Sequence, residues 1–289
     1  VNAGANAATI NFSSDVFATQ LNVTGAGTVN LNGNFTGTSV NFADAGATGT
    51  VNLAAGKNIT GAVTTATTNT GALTLSGGTQ TVSGTVGLTG ARLAAVNAGA
   101  TAATSNFSSN VFATQLNVTG TGTVNLNANL TGDTIRYQAD GFVNLADGGI
   151  IDADVTNVTG TAGSGTLTFV KNGTMAAGQD IGSSVDTSLK LVNISDVAGT
   201  AGTVTTDTIW ATTTAINNGS TLNVRSAENI TGAVTTETNN TGTLNMQGGT
   251  QAISGIVGGS GKALNLVNVG SGAAGVLTTD TIWATTTAL

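Results

Sequence analysis

Two nearly identical stretches decide the fold: "LNVTGAGTVNLNGNFTG" at residues 21–37 and "LNVTGTGTVNLNANLTG" at residues 116–132. Both contain short words of the form apolar-Asn-apolar. In an extended chain such a word places its two apolar side chains on one face and the asparagine on the other. Glycine, asparagine and threonine separate the words and can turn a chain that has no proline. Each stretch therefore predicts two short β-strands. In the second stretch, Leu116 and Val118 are expected to point inward and Asn117 to point outward.

The words recur along the chain at steps of about eight to eleven positions, and two steps together cover about 19 to about 22 residues. Three longer blocks also return nearly unchanged, starting at Val1 and Val96, at Lys57 and Glu228, and at Thr203 and Val276. The first two offsets, about 95 and 171 residues, share the divisor 19. This divisor predicts a structural unit of about 19 residues and places the two opening stretches five coils apart.

Short strands at this spacing fit either a β-sandwich or barrel, or a parallel β-helix in which each coil pairs with the coils above and below. Whole blocks return nearly unchanged, as expected when each block makes the same contacts with its neighbours. The sequence therefore predicts an all-β, right-handed parallel β-helix (β-solenoid) with about 19 to about 22 residues per coil. We expect residues 1–289 to form a single repetitive solenoid that is a fragment or processed part of a longer chain.

Composition narrows the classes of function. The 289 residues include 42 Gly, no Pro and only 7% charged residues, and the mean hydropathy of +0.22 argues against disorder. Strong helix formers are scarce, and no apolar run is long enough to span a membrane as a helix. A net charge of −7 with scattered basic residues argues against nucleic-acid binding.

The chain also lacks His and Cys, which excludes a Ser-His-Asp triad, a Cys-His pair, disulfides and His- or Cys-ligated zinc. Paired carboxylates could still hydrolyse a glycosidic bond. Arg136, near several Asp residues, is the only place where such a site could form. We therefore expect no enzyme activity and no cofactor.

Residues 133–190 resemble no other block and predict diverged or inserted coils. Carboxylates are frequent there, and Asp147, Asp152 and Asp154 are the candidate calcium ligands, because Ca²⁺ binds several carboxylate and carbonyl oxygens. The stretch "ADGGIIDADV" matches neither the EF-hand loop nor the calcium-binding glycine-rich repeat. Solvated turn residues are the alternative interpretation of these three aspartates.

Trp210 and Trp283 both lie in the words "DTIWATTTA". Regularly spaced aromatic residues could contact a partner or a glycan. They could also cap or fill a wide corner of the coil.

The words "NITGAVTT" and "GTLNMQGGTQAISGIVGGSGKALNLVNVGSGAAGV" resemble the passenger repeats of rickettsial outer-membrane surface antigens, which belong to the autotransporter group. The resemblance is clear from Asn229 to Val276 and partial from Asn58 to Ala98. It implies an exported β-helical protein displayed on the outer surface of a Gram-negative bacterium. In that family such passengers form surface layers and mediate attachment to host cells.

Three functions follow as hypotheses. The first is a structural protein that assembles with itself into a surface layer or filament. The second is an adhesin that binds a surface glycan or a receptor on a host or neighbouring cell. The third is a polysaccharide-acting β-helix enzyme. We expect a homo-oligomer or polymer that is extracellular, binds no nucleic acid and does not span a membrane.

Overall fold

The computed structural model describes residues 1–4, 8–44, 46, 48–158, 163–195 and 199–289. These residues form β-strands and turns, with one 3-10 turn at Val185–Thr187 and no α-helix among them. The chain divides into two compact units, Val1–Val143 and Asn144–Leu289. Each unit is a parallel β-solenoid with about 22 residues per coil. The predicted all-β solenoid is therefore confirmed, while its right-handed winding stays a prediction.

The described residues of the first unit form short strands of two to eight residues: β1 (Asn2–Ala3), β2 (Thr9–Phe12), β3 (Val16–Phe17), β4 (Gln20–Val23), β5 (Thr28–Leu31), β6 (Phe35–Phe42), β7 (Thr50–Leu53), β8 (Ile59–Thr65), β9 (Thr70–Leu75), β10 (Thr79–Val82), β11 (Leu93–Ala98), β12 (Thr104–Phe107), β13 (Val111–Val118), β14 (Thr123–Leu126) and β15 (Leu130–Tyr137). Sheet A of this unit has the order β1-β4-β6-β8-β10-β12-β14, with β3 also beside β6. Sheet B has the order β2-β5-β7-β9-β11-β13-β15.

The boundary between the units falls within β16 (Phe142–Leu145). The second unit continues with β17 (Gly149–Asn157), β18 (Thr166–Phe169), β19 (Gly173–Met175), β20 (Leu189–Ile194), β21 (Thr203–Thr206), β22 (Ile209–Ile216), β23 (Thr221–Val224), β24 (Ile230–Thr235), β25 (Thr241–Met246), β26 (Gly249–Ile253), β27 (Leu264–Val269), β28 (Gly275–Thr279) and β29 (Ala284–Ala288). Sheet C has the order β18-β20-β22-β24-β26-β28, and sheet D has the order β17-β19-β21-β23-β25-β27-β29.

The core of each unit consists of columns of apolar side chains in register. In sheet B, Leu31 pairs with Leu53 and Leu53 with Leu75, so that the same residue type recurs from coil to coil. These three side chains are fully or almost fully buried. The residues between the apolar positions of β5 and β7 face outward and are half-buried. In the opening stretch Leu116 and Val118 are buried as predicted, and Asn117 lies in the outer column but is itself covered.

The interpretation of the divisor 19 as one coil is wrong. In the first unit, the 95 residues from Val1 to Val96 cover nine half-coils of about 10.6 residues each. In the second unit, the 73 residues from Thr203 to Val276 cover seven half-coils of about 10.4 residues. Because nine and seven are odd, each of these two blocks lies on the opposite sheet from its copy. The two opening stretches are thus four and a half coils apart, and the word at Leu21 is in sheet A while the word at Leu116 is in sheet B.

The segment predicted to diverge, residues 133–190, still contains regular strands in its described part, β15 to β19. Its single tyrosine, Tyr137, is fully buried in the core, and this burial raises the pKa of its hydroxyl well above the ordinary value. The 3-10 turn lies in the connection between β19 and β20. Residues 159–162 of this segment lie outside the described residues.

Gly71 shows how tightly successive coils pack. It follows Thr70 at the start of β9 and has a φ of +71°, and a Cβ atom at this position would overlap the ring of Phe42 from sheet A. Phe42 is fully buried. The aromatic ring therefore occupies the space that the missing side chain leaves.

We predict that Gly71→Ala lowers the free energy of unfolding by about 1–3 kcal/mol more than Gly56→Ala. Both glycines have positive φ, +71° and +68°, but a Cβ atom at Gly56 would meet nothing within 4 Å. The difference in unfolding free energy between the two variants therefore measures the cost of the contact with Phe42. Urea unfolding of both variants provides the measurement, and equal destabilisation would contradict this packing.

Candidate functional site

The outer faces carry ladders of asparagine side chains that join successive coils. In sheet B, the Asn30 Nδ2 donates to the Asn11 Oδ1 at 2.6 Å, and the Asn52 Nδ2 donates to the Asn30 Oδ1 at 2.8 Å. In sheet D, Asn268 donates to Asn245 and Asn245 to Asn223, each at 2.7 Å. An amide has both donors and an acceptor, so it can bond to a copy of itself on each side. The asparagines of these words are therefore explained without any ligand.

Threonines two residues earlier form a second column beside each ladder. Thr9, Thr28 and Thr50 are paired in register in sheet B, next to the three asparagines of the ladder. Thr203, Thr221 and Thr243 form a corresponding column in sheet D. We call the threonine column and the neighbouring asparagine column of one sheet, taken together, a Thr-x-Asn row. Each row is uncharged, and its Thr-x-Asn pattern recurs once per coil.

Side-chain oxygens at the turns form another type of bond between coils. The Asn34 amide N–H donates to the Asp15 Oδ1 at 2.7 Å, and the Asn58 N–H donates to the Asn34 Oδ1 at 2.9 Å. Thr81 continues the series by donating its N–H to the Asn58 Oδ1 at 2.8 Å. These side chains satisfy backbone N–H groups that would otherwise be left unpaired.

In the second unit, carboxylates make some of these bonds. The Asp180 N–H donates to the Asp154 Oδ1 at 2.9 Å, and the Thr208 N–H donates to the Asp180 Oδ1 at 3.2 Å. The Thr208 hydroxyl donates to the Glu228 Oε2 at 2.6 Å. Partial burial, followed by the nearby charges of Glu228, Asp154 and Asp207, raises the pKa of the Asp180 carboxyl, against the lowering effect of the Thr208 hydrogen bond.

An ion pair lies beside this carboxylate series. The Arg225 guanidinium contacts the Asp207 carboxylate and also donates to the Met175 carbonyl at 2.8 Å. Asp207 is almost fully buried and accepts a further hydrogen bond from the Gly178 N–H. The bonds of Asp207 to Arg225 and Gly178 join neighbouring coils, and the bond from Arg225 to Met175 spans two coils.

The structure does not bring the three candidate calcium ligands together as a metal site. Asp147 is paired with Asn172 and lies 3.6 Å from the Lys171 Nζ; the Asn172 side-chain hydrogen bond is the main cause of its lowered pKa. Asp152 and Asp154 lie at alternate positions on the outer face of β17. Across the part of the chain that the structure describes, no group of three or more His, Cys, Asp or Glu side chains could hold a metal ion.

Arg136, the only candidate position for an enzyme site, lies beside Asn117 in the outer column of sheet B. The neighbouring Asp133 pairs instead with Arg92, at 2.8 Å. The arrangement links strands of the solenoid, and the expectation of no enzyme activity stays a prediction.

The two tryptophans lie on the outer surface and do not fill the core. Trp210 is half-buried and Trp283 is 47% exposed. Each donates its backbone N–H to the preceding coil, Trp210 to Ile181 at 2.6 Å and Trp283 to Val257 at 2.7 Å. The next residue of that coil is a glycine in both cases, and a Cβ atom there would lie within 3 Å of the tryptophan Cβ.

Another site was missed by sequence reasoning: an open groove of about 440 Å³ on sheet B of the first unit. It is lined by Asn30, Asn32, Asn52, Ala54, Ala55 and Ser76. The words "TVNL" at Thr28 and Thr50 could have indicated part of it, because they place Asn30 and Asn52 in equivalent positions. The remaining lining residues are adjacent only once the register of three coils is known.

Comparisons of the chain with protein-family models, curated proteins and solved structures found no match. The resemblance to rickettsial passenger repeats therefore stays a prediction from the residues. In the described part of the chain, no helix has the length and apolar character needed to cross a membrane.

We predict that Asn245→Ala lowers the free energy of unfolding by about 1–2 kcal/mol, because it removes two half-buried hydrogen bonds worth about 0.5–1.5 kcal/mol each. Asn245→Thr should lower the free energy of unfolding by less, because Thr64 and Thr74 bond to asparagine neighbours at equivalent ladder positions. Asn127→Ala, at an exposed position, is the control. Chemical denaturation measures all three, and an equal cost for Asn245→Ala and Asn127→Ala would show that the ladder adds no stability.

Proposed function

We propose that the protein is a structural component of a bacterial cell surface and assembles with itself into a layer or filament. The observation that carries this proposal is the set of Thr-x-Asn rows on the outer faces. Their hydroxyl and amide groups repeat once per coil and are uncharged. A second copy with the same rows offers the same spacing of donors and acceptors.

The cost of bringing two such faces together is low. The asparagine side chains of the rows are already ordered by the ladders, so association loses little of their side-chain freedom. The whole chain has only 7 basic and 14 acidic residues, which limits the charge that must be desolvated. A periodic surface can also be matched by another copy at many positions, as a layer or filament requires.

The proposed location is the outer surface of a Gram-negative bacterium. It rests on the resemblance of residues 229–276 to the surface-antigen passenger repeats. The absence of cysteine is compatible with export across an oxidising compartment, where a premature disulfide would obstruct passage of the unfolded chain.

An adhesin is the second candidate function. It is favoured by Phe17, which lies on β3 with 77% of its surface exposed. Exposed aromatic side chains are frequent anchors in binding interfaces. An adhesin would bind its receptor as separate particles and would not need contacts between copies.

The proposal predicts regular filaments or a lattice of the native protein in electron microscopy, with concentration-dependent assembly in sedimentation velocity. The double variant Thr28→Glu/Thr50→Glu adds two negative charges to a row of a chain that is already at −7. We expect it to raise the protein concentration needed for assembly at least tenfold, because like charges oppose contact between faces.

The matched control is Ala26→Glu/Thr48→Glu, which adds the same charge to the same two coils at exposed turn positions. This variant should assemble within about twofold of the wild-type concentration. Isolated particles of the wild-type protein at all concentrations would contradict the structural role, and receptor binding by those particles would support the adhesin.

A further inference from the structure

The groove on sheet B of the first unit lies between two columns of outward-facing residues. Asn30 and Asn52 form one column. Asn32, Ala54 and Ser76 form the other, two positions further along the chain in each coil, and their backbone N–H groups donate to Phe12, Leu31 and Leu53 of the preceding coils. The groove therefore extends across three successive coils, roughly 10 Å at the usual strand spacing.

The depression arises from a change of residue size within the second column. Ala54 occupies the middle coil, between the longer polar side chains of Asn32 and Ser76. Ala55 extends the small apolar floor. The groove thus has an apolar base with amide and hydroxyl groups along its sides, and none of its six lining residues is charged.

The asparagine ladder is interrupted at this groove. The next residue in the column after Asn52 is Thr74, whose hydroxyl accepts from Asn97. Among the described residues, none donates to the Asn52 Oδ1, and none bonds to the Asn32 side-chain amide or the Ser76 hydroxyl. Three polar groups with unused hydrogen-bonding capacity therefore line one open cavity.

We propose that this groove binds an extended neutral oligosaccharide. A sugar ring has an apolar face that fits the alanine floor, and its hydroxyl groups can both donate and accept along the polar sides. A small number of well-placed polar groups in a largely preformed cavity is typical of ligand sites. The hydrogen bond from Asn52 to Asn30 holds both amides in place before binding, which limits the entropy lost. Acidic sugars are disfavoured because the lining has no cation and the chain is negative overall.

Asn30 and Asn52 belong both to the groove and to a Thr-x-Asn row, so assembly through that row would cover the groove. The test therefore uses the full 289-residue chain at a concentration below assembly. Cellohexaose is titrated into the protein by calorimetry, and hexagalacturonate serves as the acidic counterpart of similar length. We expect cellohexaose to bind and hexagalacturonate to bind at least tenfold more weakly.

Two variants locate the site. Ala54→Leu fills the floor without removing a ladder bond, and Asn52→Ala removes the free carbonyl; each should weaken cellohexaose binding at least tenfold. The control is Asn41→Ala, on sheet A, which loses comparable bonds to Asn22 and Thr64 but lines no part of this groove. Its affinity should stay within twofold of wild type.

Circular dichroism first verifies that all three variants retain the β-fold. Absence of cellohexaose binding by the wild-type protein would overturn the proposal, as would unchanged binding by Ala54→Leu or equal binding of hexagalacturonate. These outcomes would leave the proposed assembly unaffected, because assembly is measured without any sugar.

Discussion

Parallel, in-register pairing of each coil with the next is the constraint on which the rest of each unit depends. Every residue of a strand has near neighbours directly above and below, at about 4.8 Å. A position therefore accepts only residues that are compatible with the corresponding residues of adjacent coils. Leucine and valine satisfy this condition inside, where Leu31, Leu53 and Leu75 form a column. Asparagine satisfies it outside, because its amide can donate to one neighbour and accept from the other.

The same constraint explains why charge is scarce and unevenly distributed. A column of carboxylates or ammonium groups would place like charges next to one another in every coil. Where carboxylates do follow one another, as from Asp154 to Asp180, the oxygen of one accepts the backbone N–H of the next. Partial burial is the main cause of the raised pKa of the Asp180 carboxyl, and the nearby charges of Glu228, Asp154 and Asp207 raise it further. Asn34 and Asn58 make the equivalent bond in the first unit without charge.

The half-coil, and not the coil, is the unit that the sequence repeats. Copies separated by nine or seven half-coils lie on opposite sheets, so both sheets of a unit accept the same words. The word "TVNL" forms β5 in sheet B and β14 in sheet A, and in both strands its valine and leucine are buried. This equivalence suits the proposed structural role, since the first unit presents Thr-x-Asn columns on both of its sheets.

Alternation and turn residues were sufficient to predict the strands and the inward positions of Leu116 and Val118. The return of whole blocks nearly unchanged predicted the parallel stacking. The longer offsets were interpreted as whole numbers of coils of about 19 residues. This interpretation failed because a common divisor of the offsets does not show whether they span whole coils or half-coils. The aspartates at 147 and 154 are close in sequence, but Asp147 lies in the turn before β17 and bonds to Asn172, whereas Asp154 lies in β17 and bonds to Asp180. The groove was not predictable, since Asn32, Ala54 and Ser76 lie on three successive coils and become neighbours only through the register.

Disulfide crosslinking tests the register most directly, because the chain has no natural cysteine. Asn30 and Asn52 are paired residues of β5 and β7, so their Cα atoms should be within the range of about 4.4–6.8 Å that a disulfide requires. We expect the variant Asn30→Cys/Asn52→Cys to form an intramolecular disulfide under mild oxidation. The variant Asn30→Cys/Gly49→Cys, whose spacing matches the shorter repeat suggested by the common divisor, should not form one. Crosslinking of the second pair but not the first would contradict the parallel register of β5 and β7.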